Sequence, residues 1–244
     1  MQVCKIAGVF ILFCTVSLLS GGCSLYSQKK NNTPQQLELL KSSKNYGALI
    51  EIYREKLKSN ENSENRYALS YYYYSSGDCL SALQYIAPIS EGNMRNRVLF
   101  IRSLVACEKY NDAIIQANSS LRLNPNNYDL LNLRGVAEAL SGKTQAGRKS
   151  IQMARDLFIR DKTAINNLAM IEIIEGHYDK AVKILLPLYQ NGCKDLTIVH
   201  NLVYSLVKSG YMVYAQNIIE KEKLSDDADS LIKSLKLSGS KNHA

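Results

Sequence analysis

The chain has 244 residues, of which 46% are hydrophobic and 21% are charged, and its formal net charge is +8. These fractions are those of a folded globular protein and exclude an intrinsically disordered chain. With 4 Pro and 13 Gly, a collagen-like or linker-dominated architecture is excluded as well. Six cysteines are too few for a disulfide-rich scaffold, and the basic residues are dispersed, so we expect no nucleic-acid partner.

The first residues have the pattern of a secretory signal. Lys5 precedes an uncharged and largely apolar run from Ile6 to Leu19. As a helix this run would span roughly 21 Å, which is shorter than the hydrocarbon core of roughly 30 Å, so we expect no permanent transmembrane helix. The small residues Ser20, Gly21 and Gly22 then lead directly to Cys23.

The segment that ends at Cys23 resembles the lipobox of bacterial lipoproteins, in which the cysteine becomes the acylated first residue of the mature chain. The family prefers Leu three residues before the cysteine, whereas this chain has Ser20 there and Leu19 one position earlier. The alternative is an ordinary cleaved signal followed by an incidental cysteine.

The lipobox resemblance implies a cleaved signal peptide over residues 1–22 and a lipid on Cys23 that anchors the protein to a membrane. Residues 23–34 then form the lipidated cysteine and a polar tether. Because Ser24 and not Asp follows the cysteine, the resemblance also implies transport to the periplasmic face of the outer membrane.

The rest of the chain repeats itself. Two sets of small residues keep a step of 34 residues: Gly142, Gly176 and Gly210, and Ala113, Gly147, Ala181 and Ala215. A helix-turn-helix unit of this length with small residues at fixed offsets resembles the tetratricopeptide repeat (TPR). The resemblance implies an all-α, right-handed solenoid over residues 35–237, with about five to six helical hairpins. We also expect a capping helix near Asp227–Leu237 and a disordered tail over residues 238–244.

In a TPR superhelix the first helix of each hairpin lines the concave face, which implies a protein-binding groove. The predicted groove residues are Tyr67, Tyr71, Tyr74, Arg102, Asn132, Asn166, Met170, His200 and Tyr204. Tyr and Arg are enriched at protein interfaces, and the Asn amides could pair with the backbone of an extended peptide. The alternative is that the tyrosines serve mostly in helix packing and that Asn is simply common at its repeat position.

The sequence contains no catalytic signature. There are 3 His, and no HExxH, GxSxG or CxxC motif, so zinc, serine-hydrolase and thioredoxin chemistry lack their parts. Residues 137–144 fit a loose phosphate-loop pattern but lack its first Gly, and they fall at a turn between two predicted helices. Glu172, Glu175 and Asp179 lack the inward pairing of general acid–base residues, and His177 is expected to be solvated. We therefore expect no enzyme, no catalytic residue, no metal, no cofactor and no small-molecule substrate.

Three cysteines follow the lipobox. Cys79 begins the second helix of one unit and Cys107 ends the first helix of the next, and these two ends lie side by side in a stacked array. A Cys79–Cys107 disulfide and two buried free thiols both fit this arrangement. Cys193 falls in a loop between repeats and would stay unpaired.

Two segments carry a narrower resemblance, namely Asn166-Asn167-Leu168-Ala169 with Gly176, Ala181 and Leu186-Pro187-Leu188, and Asn201-Leu202 with Gly210 and Ala215. The order and spacing of these residues resemble those of the TadD-type lipoproteins of tight-adherence (Flp) pilus gene clusters. The resemblance implies a non-enzymatic periplasmic scaffold that supports secretin assembly or stability, with the secretin or other pilus-assembly components as partners. Two alternatives are a TPR lipoprotein adaptor for peptidoglycan enzymes and a pilotin-like carrier of secretin subunits.

Overall fold

A computed structural model describes residues 33–157 and 161–238, apart from the side chain of residue 161. The predicted signal peptide, Cys23 and most of the predicted tether lie outside the described residues, as does the tail beyond Ser238. The described residues form α-helices, with one 3-10 helix at Ala87–Ile89 and no strand. None of the described helices has the length and apolar character needed to span a membrane.

The helices follow one another in a regular order. They are α1 (Pro34–Ser42), α2 (Tyr46–Ser59), α3 (Ser63–Ser75), α4 (Cys79–Ile86), α5 (Met94–Ala106), α6 (Tyr110–Leu123), α7 (Tyr128–Leu140), α8 (Thr144–Asp156), α9 (Asp161–Ile174), α10 (Tyr178–Gln190), α11 (Leu196–Lys208), α12 (Met212–Lys221) and α13 (Ala228–Leu237). The first helix begins at Pro34, with Thr33 as its N-cap, so helical structure starts one residue before the predicted solenoid boundary.

Asparagine side chains fix where several of these helices begin. The side chains of Asn62, Asn93 and Asn127 accept hydrogen bonds from the third backbone N–H of α3, α5 and α7. Such caps satisfy donors that have no partner within the helix. They mark the start of the first helix in three successive hairpins.

The turn inside each hairpin places one residue at positive φ. This residue is Gly77, Gly142, Gly176 or Gly210 in four hairpins, and Lys44 or Glu108 in the other two. Glycine adopts this left-handed conformation without the steric cost that a Cβ imposes. The described chain therefore contains six hairpins, from α1–α2 to α11–α12, with α13 at the end. The prediction of an all-α array of five to six hairpins with a capping helix is confirmed.

Glu108→Gly is expected to raise the free energy of unfolding by about 0.5–1 kcal/mol, because Glu108 has φ 59° and is exposed. Gly142→Ala is the reciprocal change: its φ is 86° and a Cβ there would meet no atom within 4 Å, so any loss comes from the backbone. We expect Gly142→Ala to lower the free energy of unfolding by about 1 kcal/mol. Urea unfolding followed by circular dichroism measures both, and equal effects of the two changes would contradict the turn assignment.

One repeat is shorter than the others. Gly77 and Glu108 are 31 residues apart, whereas Glu108, Gly142, Gly176 and Gly210 are separated by 34. In the short repeat α4 has 8 residues and gives way to the 3-10 helix that contains Pro88. Proline lacks the N–H that would continue an α-helix, so the second helix of this hairpin ends early.

The hairpins form two layers. The first helices α3, α5, α7, α9 and α11 each contact the next one in this series, and we call them the inner layer. Within the described chain the second helices have no comparable contacts with one another, and we call α4, α6, α8, α10 and α12 the outer layer. Closer packing on one side curves the array toward the inner layer, which is therefore the concave side.

The core is a row of clusters along the array and has no single centre. The first cluster lies around Leu49 and Leu69, the second around Leu130 and Ile151, and the third around Leu202. Each hairpin exposes an apolar face that only its neighbour covers, which is the organisation of a solenoid.

Candidate protein-binding groove

The successive helices of the inner layer carry residues at equivalent positions of the repeat. Stepping by 31 residues from α3 to α5 and by 34 thereafter, Tyr71 corresponds to Arg102, Met170 and Tyr204. The same steps relate Tyr67 to Val98, Asn132, Asn166 and His200. The predicted groove residues thus belong to two rows on the inner layer, with Tyr74 one turn further along α3.

At the N-terminal end of the inner layer there is a pocket of about 310 Å3, which we call the inner pocket. Helix α3 contributes Tyr67 and Tyr71, and α7 contributes Asp129. The α5 residues that line it are Met94, Arg95, Val98, Leu99 and Arg102. The structure therefore brings together three of the predicted groove residues, Tyr67, Tyr71 and Arg102.

One wall of the inner pocket is aromatic. The rings of Tyr67 and Tyr71 lie nearly parallel, with centroids 6.4 Å apart and an interplanar angle of 11°. The guanidinium of Arg95 lies 3.7 Å from the centroid of Tyr67 and pairs with Glu64 at 3.2 Å. Tyr71 is 42% exposed, so its ring is available to a partner. Rings held by stacking lose little conformational entropy when they bind.

Arg102, which lines the same pocket, is only loosely paired. Among the described residues, the carboxylate that faces Arg102 is that of Asp129, with 3.8 Å between Nη2 and Oδ1. This distance is too long for a hydrogen bond. Both side chains are more than two-fifths exposed, and such surface pairs contribute little to stability.

Tyr74 is not among the residues that line the inner pocket. Its side chain is half-buried and packs against the core cluster around Leu49, Leu69 and Tyr73.

The amide oxygens of Asn132 and Asn166 have hydrogen-bond partners within the inner layer. Asn132 Oδ1 accepts a hydrogen bond from Asn167 Nδ2 at 2.7 Å, and Asn166 Oδ1 accepts one from Asn201 Nδ2 at 2.9 Å. These bonds join α7 to α9 and α9 to α11. The amide oxygens of Asn132 and Asn166 therefore bind side chains of the next repeat.

The C-terminal half of the inner layer carries the other predicted groove residues. His200 is exposed on α11, and Met170 is half-buried on α9. The ring of Tyr204 packs edge-on against Tyr178, with centroids 5.9 Å apart. A smaller pocket of about 180 Å3 lies beside Asn166 and Asp195. The predicted residues at this end thus lie on three successive helices of the inner layer, α7, α9 and α11.

A charged cluster lies away from the inner pocket, where α8 meets the end of α9. Arg148 donates to Glu172 Oε1 at 2.8 Å and to Glu175 Oε2 at 3.0 Å, and His177 Nδ1 lies 3.2 Å from Glu172 Oε2. Glu172 is only 7% exposed. Glu172 and Glu175 therefore have a partner in the preceding hairpin, and this partner is a guanidinium and not a second acid or base.

The sequence pattern did not reveal this cluster because Arg148 lies 24 and 27 residues from its two partners, one hairpin earlier. The ligand atoms of Glu172, Glu175 and His177 lie within 4.8 Å of one another, a spacing that a metal ion could use. However, the Arg148 guanidinium already binds both carboxylates and offsets their charge, so the donor set is that of a structural ion-pair network.

Glu175→Gln is expected to lower the free energy of unfolding at pH 7 by about 1 kcal/mol. The Thr144 hydroxyl, followed by Arg148 and His177, holds the pKa of Glu175 below its usual value. The stability that this carboxylate contributes is therefore present above its unfolded pKa of about 4.3, and it is lost as the pH falls through the lower folded pKa.

Urea unfolding at pH 7 and near pH 3 measures this effect, and we expect the deficit of Glu175→Gln to be smaller at the lower pH. Glu55→Gln, which removes an exposed pair with Lys58, serves as the control and should change little at either pH. A deficit of the same size at both pH values would exclude the charge as its cause.

The structure joins Cys79 and Cys107 by a disulfide, with a Cα–Cα distance of 5.5 Å. The bond links the start of α4 to the C-cap of α5, so it ties two consecutive hairpins together. Cys193 is a free thiol, half-buried beside the C-terminal core cluster.

Comparison with known proteins agrees with this architecture. The family described as anaphase-promoting complex, cyclosome, subunit 3 matches residues 42–118. A thermophilic TPR protein from Thermus thermophilus has a similar structure, with a TM-score of 0.59 and 20% identity over 70% of this chain and 95% of its own. A TPR protein from Parabacteroides merdae gives a TM-score of 0.60 and 15% identity over 82% of this chain and 81% of its own. The fold is a TPR solenoid.

A third solved structure with a similar fold belongs to a longer chain. A chain of the APC/C heterotetramer Cut9–Hcn1 gives a TM-score of 0.62 and 16% identity over 86% of this chain, which spans 42% of that chain's length. No curated protein matches the sequence. At these identities the likeness establishes the TPR fold, and the family match covers the N-terminal hairpins that contain Tyr67, Tyr71 and Arg102.

Proposed function

We propose that this TPR solenoid is a non-enzymatic scaffold whose inner layer binds a segment of another protein. The observation that carries the proposal is the inner pocket, where Tyr67, Tyr71 and Arg102 meet between α3 and α5. Tyrosine and arginine are the residues that most often dominate protein interfaces, because they bury a large area and still form hydrogen bonds.

The proposed scaffold is held by a lipid on Cys23 at the periplasmic face of the outer membrane. The sequence that ends at Cys23 supports the anchor, and Ser24 supports the outer membrane as its destination. The Cys79–Cys107 disulfide is consistent with export, because disulfides persist in oxidising compartments and are rare in the cytosol.

Within that setting we propose a role in the assembly of a Flp-type pilus, in which the scaffold supports the secretin. The TadD-type sequence pattern of α9–α12 supports this role, together with the lipobox and the number of hairpins. Recruitment of peptidoglycan enzymes and carriage of secretin subunits to the membrane are the competing outcomes of the tests below.

Site-specific photocrosslinking in cells tests the binding surface. A benzophenone amino acid replaces Tyr71 in the inner pocket, or Tyr214, which is 67% exposed on the outer helix α12, as a matched control. We expect crosslinks to secretin or another pilus-assembly protein from position 71 and none from position 214. Crosslinks of equal yield from both positions would contradict the groove, and crosslinks to a peptidoglycan enzyme would favour the adaptor role.

Deletion of the gene tests the pilus role, with secreted fibres and cell-wall integrity as the two readouts. We expect loss of fibres with an intact wall. Normal fibres in the deletion strain would exclude the role. When the gene is restored to the deletion strain with Cys23→Ser, the protein should move from the membrane fraction to the periplasmic fraction, and retention in the membrane fraction would exclude the lipid anchor.

A further inference from the structure

We infer that the inner pocket takes one large aromatic side chain from its partner, with an acidic residue next to it in the partner's sequence. This inference rests on the proposed function and specifies the chemistry of the bound segment. Three features support it, namely the size and apolar floor of the pocket, its aromatic wall, and the state of Arg102.

The volume and lining of the pocket favour an aromatic side chain. A space of about 310 Å3 exceeds the needs of a small aliphatic side chain and accommodates one large ring with its linking methylene. Its floor is apolar, with Leu99 only 3% exposed and Val98 half-buried beside it. The Tyr67–Tyr71 stack leaves ring surface for an offset or edge-on contact, the geometry that aromatic pairs prefer.

The two arginines of the pocket differ in the contacts that they already make within the protein. Arg95, Val98 and Arg102 fall at i, i+3 and i+7 on α5, so the guanidinium groups flank an apolar centre on one stripe of the helix. Arg95 stacks on Tyr67 and hydrogen-bonds to both Glu64 oxygens at 3.2 Å. Arg102 instead faces Asp129 at 3.8 Å without a hydrogen bond.

Arg102 is therefore the group that can hold a carboxylate of the partner. A guanidinium binds a carboxylate through two parallel N–H···O bonds, and such bonds are shorter and stronger than neutral ones. Asp129 opposes the incoming carboxylate by repulsion, but its own pairing with Arg102 is exposed and weak. An acidic residue of the partner thus competes with Asp129 for Arg102.

Because the chain contains no Trp, a tryptophan-containing peptide can be followed selectively by fluorescence. The probe is the acetylated, amidated peptide Gly-Ser-Asp-Trp-Asp-Ser-Gly, titrated with the protein at low and at physiological salt. The two comparison peptides carry Lys in place of both Asp residues, or Ala in place of Trp with a fluorescent label at the N-terminus. We expect saturable binding of the probe and at least about tenfold weaker binding of both comparison peptides.

Variants connect this binding to the pocket. Tyr71→Ala should weaken binding of the probe by about tenfold, and Arg102→Gln should remove the preference for Asp over Lys flanks. Asp129→Asn should tighten binding by about threefold, because it removes the competing carboxylate, and a gain of affinity cannot result from unfolding. Tyr214→Ala, on the outer layer, should leave the affinity unchanged.

Equal binding of the Asp-flanked and Lys-flanked peptides, or no saturable binding of the probe, would overturn the inference. So would weaker binding of the probe to Asp129→Asn. If crosslinks from position 71 to a partner persist in those cases, the proposed function stands and only the partner chemistry is wrong. If the probe binds as expected but position 71 gives no crosslink in cells, the proposed scaffold function fails instead.

Discussion

Replacing Cys79 and Cys107 together by serine is expected to lower the free energy of unfolding by about 3–4 kcal/mol. The two cysteines are 28 residues apart in the sequence, and closing a loop of that length restricts the unfolded chain. The bond also joins two consecutive hairpins, whose mutual contact is the unit of stability in a solenoid. Urea unfolding of the oxidised protein, followed by circular dichroism, measures the change.

Two controls separate the disulfide from the substitutions themselves. Cys193→Ser removes the free thiol and should have a small effect in comparison. A reductant should destabilise the unsubstituted protein by about the same 3–4 kcal/mol and should leave the double variant unaffected. A protein whose unfolding is indifferent to reductant would contradict a stabilising Cys79–Cys107 bond.

Gly147→Ala is expected to lower the free energy of unfolding by about 2–3 kcal/mol. A Cβ at Gly147 would lie 2.6 Å from the carbonyl oxygen of Gly135 and 2.9 Å from the backbone nitrogen of Ala139. These are backbone atoms of α7, so they cannot rotate aside as the end of a side chain can. The two helices must separate, and the core contacts between them weaken.

The control for this change is another helical glycine with open space around it. A Cβ at Gly47 in α2 would have its nearest neighbour, Asn45 Oδ1, at 4.0 Å. Gly47→Ala should therefore stabilise the protein by up to about 0.5 kcal/mol through its helix propensity. Thermal and urea unfolding of both variants tests the contrast, and a neutral Gly147→Ala would show that α7 and α8 do not pack as closely as described.

Much of the fold follows from the sequence because small residues recur where the geometry demands them. Glycine at the hairpin turns and small residues at close helix contacts predict both the length of the repeat and its helical state. The turns at Lys44 and Glu108 lack this signal, since other residues hold the left-handed conformation there. The short α4 depends on Pro88 and on the contacts of one particular hairpin, which a period of 34 residues does not describe.

The candidate site was predictable only in part, for a similar reason. The register places Tyr67, Tyr71 and Arg102 on one side of the first helices, and the structure brings them into one pocket. The hydrogen-bond partners of Asn132 and Asn166 depend on the distances between α7, α9 and α11, because the asparagines of the next helix reach them only when these helices lie close together. Periodicity within one helix carries no information about such distances.

Helix α1, at the N-terminal end of the described solenoid, is little buried. Helix α1 has 9 residues and none of them is buried, whereas α7 and α8 share the tightest glycine contact of the described chain. A mechanical pull on the N-terminus would therefore peel α1 away first and leave the inner pocket intact. Stretching 9 residues from helix to extended chain adds roughly 15 Å of reach. If the chain is anchored as proposed, α1 would lengthen under load before the inner pocket is disturbed.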